Sequence, residues 1–147
     1  MITEVTADIL ELKVNAIAHG CNTQGIMNAG LAKVLKERFP IMYKEYKAYC
    51  ETEMFNPGDI HFYRNPKGPN IINIATQIEL EKGARLDYIE EGLKKIEDSY
   101  SRWGINSLAV PRIGCGLGGL AWRDVRRVIY SIFGSSNLDV RVVTKPH

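Results

Sequence analysis

No apolar run in these 147 residues approaches the ~20 that a membrane span requires, which excludes an integral membrane helix. Met1-Ile2-Thr3-Glu4 has neither a cationic stretch nor an apolar one, so no secretion signal is expected. Cysteine is scarce. Cys21, Cys50 and Cys115 are odd in number and form no CxxC pair, so reduced thiols in a cytoplasmic protein are expected. The three histidines, His19, His61 and His147, show no metal-ligand spacing, and neither a metal nor any other cofactor is expected. Charge is almost balanced, 19 Lys+Arg against 17 Asp+Glu for a net +2. That excess is too small to argue for a nucleic-acid surface. Arg123, Arg126, Arg127, Lys33, Lys36 and Arg38 therefore read as solvated faces. There is no internal repeat, low-complexity tract or linker, and the length suits one domain over residues 1–147, expected to be a monomer.

What is present is alternation. Ile2–Thr6 reads as a strand, and Ala16–His19 as a short buried strand ending at Gly20. Residues 30–39 read as a helix with Leu31, Val34, Leu35 and Phe39 on one face. Pro40 stops it and opens a second helix to about Tyr49, whose Tyr43, Tyr46 and Tyr49 suit helix packing. Asp59–Arg64 and Asn70–Thr76 are strand-like around an Asn-Pro-Lys-Gly-Pro turn. Arg85–Trp103 is the strongest helical pattern, closed by Gly104. A strand (Ser107–Pro111), a Gly-rich loop, a helix (Trp122–Phe133) and a strand (Asp139–Thr144) complete the order. Such alternation predicts an α/β/α three-layer fold around a mixed, mostly parallel sheet, with ligands at the carboxyl ends of its strands.

Two loops stand at those ends. One reads Pro111-Arg112-Ile113-Gly114-Cys115-Gly116-Leu117-Gly118-Gly119-Leu120-Ala121-Trp122. Glycine there lets backbone N–H groups approach a ligand, and the helix that follows adds a positive dipole end. The string satisfies G-x-G-x-x-G, but a dinucleotide fold needs it after the first strand with several βα units downstream. The other loop, Gly20-Cys21-Asn22-Thr23-Gln24-Gly25-Ile26-Met27-Asn28-Ala29-Gly30, is also rich in small residues and runs into a helix. Together the two suit a clamp on a diphosphate.

Thr6-Ala7-Asp8-Ile9, His19-Gly20-Cys21-Asn22, Asn28-Ala29-Gly30-Leu31-Ala32 and the Pro111–Leu120 run, in that order, resemble the macrodomain, an ADP-ribose-binding module. The last motif is similar to the subgroup that removes ADP-ribose from protein or DNA or processes ADP-ribose-1″-phosphate. The resemblance implies that Asp8 receives the adenine amino group, with Ile9 beside it. It implies that Asn22 faces the distal ribose, and that Met27, Asn28, Ala29, Gly30 and Gly114, Cys115, Gly116, Leu117, Gly118, Gly119 surround the diphosphate. The activity so implied is hydrolysis at C1″ of the distal ribose, on ADP-ribosylated protein or nucleic acid. A 1″-phosphatase and a non-catalytic reader are the alternatives.

Three departures bear on this. Ala7 and Asn28 replace glycines of the family pattern; Asn is the best non-Gly residue for a left-handed backbone. Gln77 stands where the subgroup's lysine acts on the sugar, and Gly118 where an assisting aspartate stands. Gln cannot titrate, so Asn22, His19 and Gln77 are the catalytic candidates that remain, with Lys82 as a lysine able to reach back. Cys21 and Cys115 read as buried fillers rather than nucleophiles.

Overall fold

The computed structural model describes residues 1–147. Its strands are β1 (Ile2–Thr6), β2 (Ala16–Cys21), β3 (Ile60–Tyr63), β4 (Asn70–Ala75), β5 (Ser107–Pro111) and β6 (Asp139–Thr144). Its helices are α1 (Gly30–Arg38), α2 (Pro40–Glu51), α3 (Leu86–Trp103) and α4 (Trp122–Phe133). The strands form one sheet in the order β1-β6-β5-β2-β4-β3, parallel throughout except for β3 against β4. Parallel neighbours need crossovers, and here the crossovers cover both faces. The three-layer, mostly parallel fold expected from the sequence is the one observed.

Pleating divides the core in two. Ala16 and Ala18 of β2 face Ile89, Leu93 and Ile96 of α3 and Val125, Ile129 and Phe133 of α4. Ile17 and Cys21 face Leu35 of α1 and Met42 and Tyr46 of α2. Gly104 ends α3 in the left-handed conformation, φ +74°, and its N–H returns to the last turn. Gly92 lets α3 lie directly on β4, because a Cβ there would overlap the Ile74 side chain.

Two boundaries depart from the sequence reading. β2 does not stop at Gly20 but continues to Cys21, with Gly20 paired to Ile74 and Cys21 to Ala75. Glycine is required there by approach rather than by a turn, since a Cβ would stand 2.8 Å from Thr76 Oγ1. On α1 the expected apolar face is only partly buried. Leu35 is enclosed, whereas Val34 is 43% exposed.

His19, Asn73 and His61 lie in register across β2, β4 and β3, all buried under α2. His19 Nε2 donates to Asn73 Oδ1, Asn73 Nδ2 donates to His61 Nδ1 at 2.9 Å, and His61 Nε2 donates to Glu45 Oε1 at 3.1 Å. His19, a catalytic candidate on the sequence, lies within this row and outside the cleft lining. It is 2% exposed and spends its ring on Asn73, and burial pulls its pKa down to about 4. Burial lowers His61 as well.

Two outcomes follow from this packing. Gly92→Ala should cost about 1–3 kcal/mol through the collision with Ile74; an unchanged urea midpoint would contradict it. Acid should weaken the fold between pH 6.5 and about 4. In that window the unfolded chain protonates His19 and the folded chain does not, a loss of about 3 kcal/mol by linkage. Urea titrations at pH 7, 5.5 and 4 measure the decline, and His19→Gln, which still donates to Asn73, should reduce it to the share that His61 contributes.

Candidate functional site

A cleft of about 940 Å³ opens over the carboxyl ends of the strands, within the usual ~300–1,000 Å³ of small-molecule sites. Topology places it. The chain leaves β5 towards β6 and leaves β2 towards β4 and β3, so the loops part between them. Across the sheet edge the cleft meets Ala7, Asp8 and Ile9 after β1, then Thr144 and Lys145 after β6. Next come Arg112, Cys115 and Gly116 after β5, then Gly30, Leu31 and Val34 of α1. Of the residues expected to bind, it therefore gathers Asp8, Ile9, Gly30, Cys115 and Gly116.

Asp8 does two jobs. Its Oδ1 accepts from the Leu10 N–H at 3.0 Å and so fixes the turn after β1, while the exposed carboxylate remains in the cleft. α1 begins with no side chain bonded to its first N–H groups, and Gly30 at its start has φ +58°. Those donors face the cleft unpaired, a setting that favours anions. In the Gly-rich loop, Gly119 N–H donates to Gly116 O and Leu120 N–H to Gly114 O, closing the base. The N–H groups of Gly116, Leu117 and Gly118 have no partner in the protein. Two sets of free backbone donors thus stand on either side of the cleft, and no cofactor or metal is needed to explain them. No group of three His, Cys, Asp or Glu side chains is placed to hold a metal ion.

Other expected residues fall elsewhere. Met27 is 1% exposed and packs in the core under α1 and α2, outside the cleft lining. Asn28 and Ala29 are exposed just ahead of Gly30. The left-handed backbone expected at Asn28 falls instead on Gly25 and Gly30. Leu117, 81% exposed, sits at the loop tip outside the cleft lining, as do Gly118 and Gly119. Gly118 is packed tightly: a Cβ would lie 2.6 Å from Gly114 O and 2.9 Å from the Ala84 Cβ. Burial raises the Cys115 thiol, and burial first of all raises Cys21 well above its usual value, so neither is a thiolate nucleophile at neutral pH.

Asn22 and Gln77 are engaged in holding loops. Asn22 Oδ1 accepts from Gln24 N–H, Ile26 N–H and the Tyr46 hydroxyl at 3.0, 3.3 and 3.0 Å, and its Nδ2 donates to Ile26 O at 2.9 Å. Its acceptor is therefore spent, and one N–H remains. Gln77 Nε2 donates to Glu79 O and Leu80 O. Lys82 does not reach back; it is 72% exposed beside Glu79. The 76–85 segment is laced on both sides, by Thr23 N–H to Ile78 O and by Ala84 N–H to Gly118 O.

Several contributors carry no assigned role in the sequence. Tyr46 reads there as packing, yet its buried hydroxyl fixes Asn22. Arg112 and Trp122 bracket the Gly-rich motif, and the Arg112 guanidinium lies over the Trp122 ring, 5.0 Å from its centre, while its Nε donates to Thr144 Oγ1 at 3.2 Å. The spacing of a cation and an aromatic at the two ends of one loop is the signal that was available. Thr144 and Lys145 have none, since they enter the cleft only through the sheet order.

The Macro domain family model matches residues 18–129. The chain is 34% identical over 134 residues to a Thermus aquaticus protein named DNA ADP-ribosyl glycohydrolase, covering 88% of this chain and 37% of that one. It spans less than two fifths of the length of the first such relatives it matches. Among solved structures, the macrodomain of Mycobacterium tuberculosis DarG superposes with a TM-score of 0.93 at 30% identity, covering 100% and 99% of the two chains. Thermosipho africanus DarTG in complex with ADP-ribose gives 0.92 at 26%, covering 99% of this chain and 41% of that one. The strand order, the paired loops and these matches agree: this chain belongs to the macrodomain family.

Proposed function

We propose that this chain binds ADP-ribose along the sheet edge and hydrolyses the bond from C1″ of the distal ribose to an attached group. One observation carries the reading: a free carboxylate, Asp8, and unpaired N–H groups at Gly30–Leu31 and at Gly116 line a single cleft. The carboxylate can accept from the exocyclic amino group of adenine. The N–H groups of Gly30–Leu31 and of Gly116 can take the diphosphate oxygens between them. The distal ribose then falls beyond β5, towards Asn22 and Gln77. Relatives named DNA ADP-ribosyl glycohydrolase favour a nucleic acid as the attached group. Three free thiols suit a reducing cytoplasm.

Catalysis in this reading is positional and electrostatic. The diphosphate is held at backbone donors, and the remaining Asn22 N–H orients the distal sugar. A second reading, a reader without turnover, is favoured by a specific feature. Gln77, Asn22 and Gly118 supply no titratable group at the sugar, and His19 lies inside the core.

Calorimetric titration with ADP-ribose should give micromolar binding, weakened about 10- to 100-fold in Asp8→Ala through loss of a charge-assisted hydrogen bond. ADP-ribosylated DNA, ADP-ribosylated protein and ADP-ribose-1″-phosphate form the turnover panel. Release of ADP-ribose from DNA supports the first reading; binding without release from any of the three establishes the second. Gln77→Lys should raise release by roughly 10²-fold by restoring a titratable group.

A further inference from the structure

Three ligand parts have partners along the sheet edge: adenine at Asp8 after β1, the diphosphate at the loops after β5 and β2, and the distal ribose beyond them. The adenosine ribose must lie between the first two, over the end of β6. The side chains at that place are Thr144, Lys145 and, from the start of the Gly-rich loop, Arg112. A ribose bears only neutral hydroxyls, and nothing in it calls for two cations.

Neither cation is neutralised. Arg112 and Lys145 form no ion pair within the protein, and Asp8 is the only carboxylate lining the cleft. Glu4 feels Arg112, but its oxygens are taken by Arg126 and Tyr130. Arg112 is also oriented in advance. Its guanidinium carbon lies 5.0 Å from the centre of the Trp122 ring and Thr144 Oγ1 accepts from its Nε, which leaves both terminal nitrogens free. A guanidinium fixed in this way presents paired donors suited to a phosphate. Both cations are exposed on the wall of the same cleft, so an anion bound there is drawn to two positive charges.

We propose that the cleft carries an additional anion subsite at the adenosine ribose, formed by Arg112, Lys145 and Thr144, and that it takes a phosphate monoester on a ribose hydroxyl. The ligand class is ADP-ribose phosphorylated on its adenosine ribose, the kind of unit a phosphorylated nicotinamide dinucleotide would supply. This rests on the reading of the cleft as an ADP-ribose site, because Asp8 and the loops define where the ribose lies.

The test is the ratio of affinities for 2′-phospho-ADP-ribose and ADP-ribose, measured by calorimetry at two salt concentrations. The wild type should prefer the phosphorylated ligand by about tenfold or more, less at high salt. The ratio should fall in Arg112→Gln and in Lys145→Gln and reach one in the double variant. A ratio is insensitive to a general loss of affinity, so a loosened loop does not imitate the effect. Competition by 2′,5′-ADP and 3′,5′-ADP against AMP identifies the hydroxyl. A wild-type ratio of one or below, or a ratio unchanged in both variants, overturns the subsite while leaving ADP-ribose binding intact. Absence of binding to either ligand overturns the reading of the whole cleft, and the subsite with it.

Discussion

Parallel pairing is the constraint on which the rest of this molecule depends. Strands β1, β6, β5, β2 and β4 all run the same way, so each must be re-entered from the far edge, and the re-entering chain must cover a face. That requirement produces both hydrophobic cores, one under α1 and α2 and one under α3 and α4. It also collects the carboxyl ends of five strands along one edge. The cleft is the space left where the crossovers from β2 and β5 diverge.

Alongside the side chains of Asp8, Arg112, Thr144 and Lys145, the cleft presents unpaired backbone N–H groups. Around it, the side chains that sequence resemblance suggests as chemical groups turn towards their own loops. Asn22 is bonded to Gln24, Ile26 and Tyr46, and Gln77 to the 79–80 carbonyls. These bonds hold the loops so that glycine and helix-start N–H groups are left without partners. Tyr46, buried in the core below, connects the packing of α2 to the conformation of the first loop. The row from buried His19 through Asn73 and His61 to the half-exposed Glu45 carboxylate serves the layer beneath in a comparable way, joining three strands to α2.

The fold was legible because its signals are local. The spacing of Ile89, Leu93 and Ile96, the stop at Gly104 and the strand–loop–helix order each depend on neighbouring residues only. Part of the cleft lining was legible too, since Asp8 and Gly116 sit in contiguous motifs. The sequence was least informative where a role depends on which way a side chain turns. Met27 and Asn28 are adjacent, yet one is core and the other is surface. His19 lies near the end of a buried strand and resembles a site residue until register sets it against Asn73. Thr144 and Lys145 join the cleft only because β6 inserts between β1 and β5, a fact of topology that no window of sequence contains.

The close packing of Gly118 bears on how such a chain changes over generations. Its carbonyl receives the Ala84 N–H, and a Cβ at Gly83 would lie 2.8 Å from that same oxygen. A side chain at position 118 would meet Gly114 and Ala84 together, so the 83–84 turn and the Gly-rich loop must move as one. An aspartate at position 118 therefore needs both Gly114 and Ala84 to give way, so a carboxylate at that place comes only with a rearrangement of two loops at once.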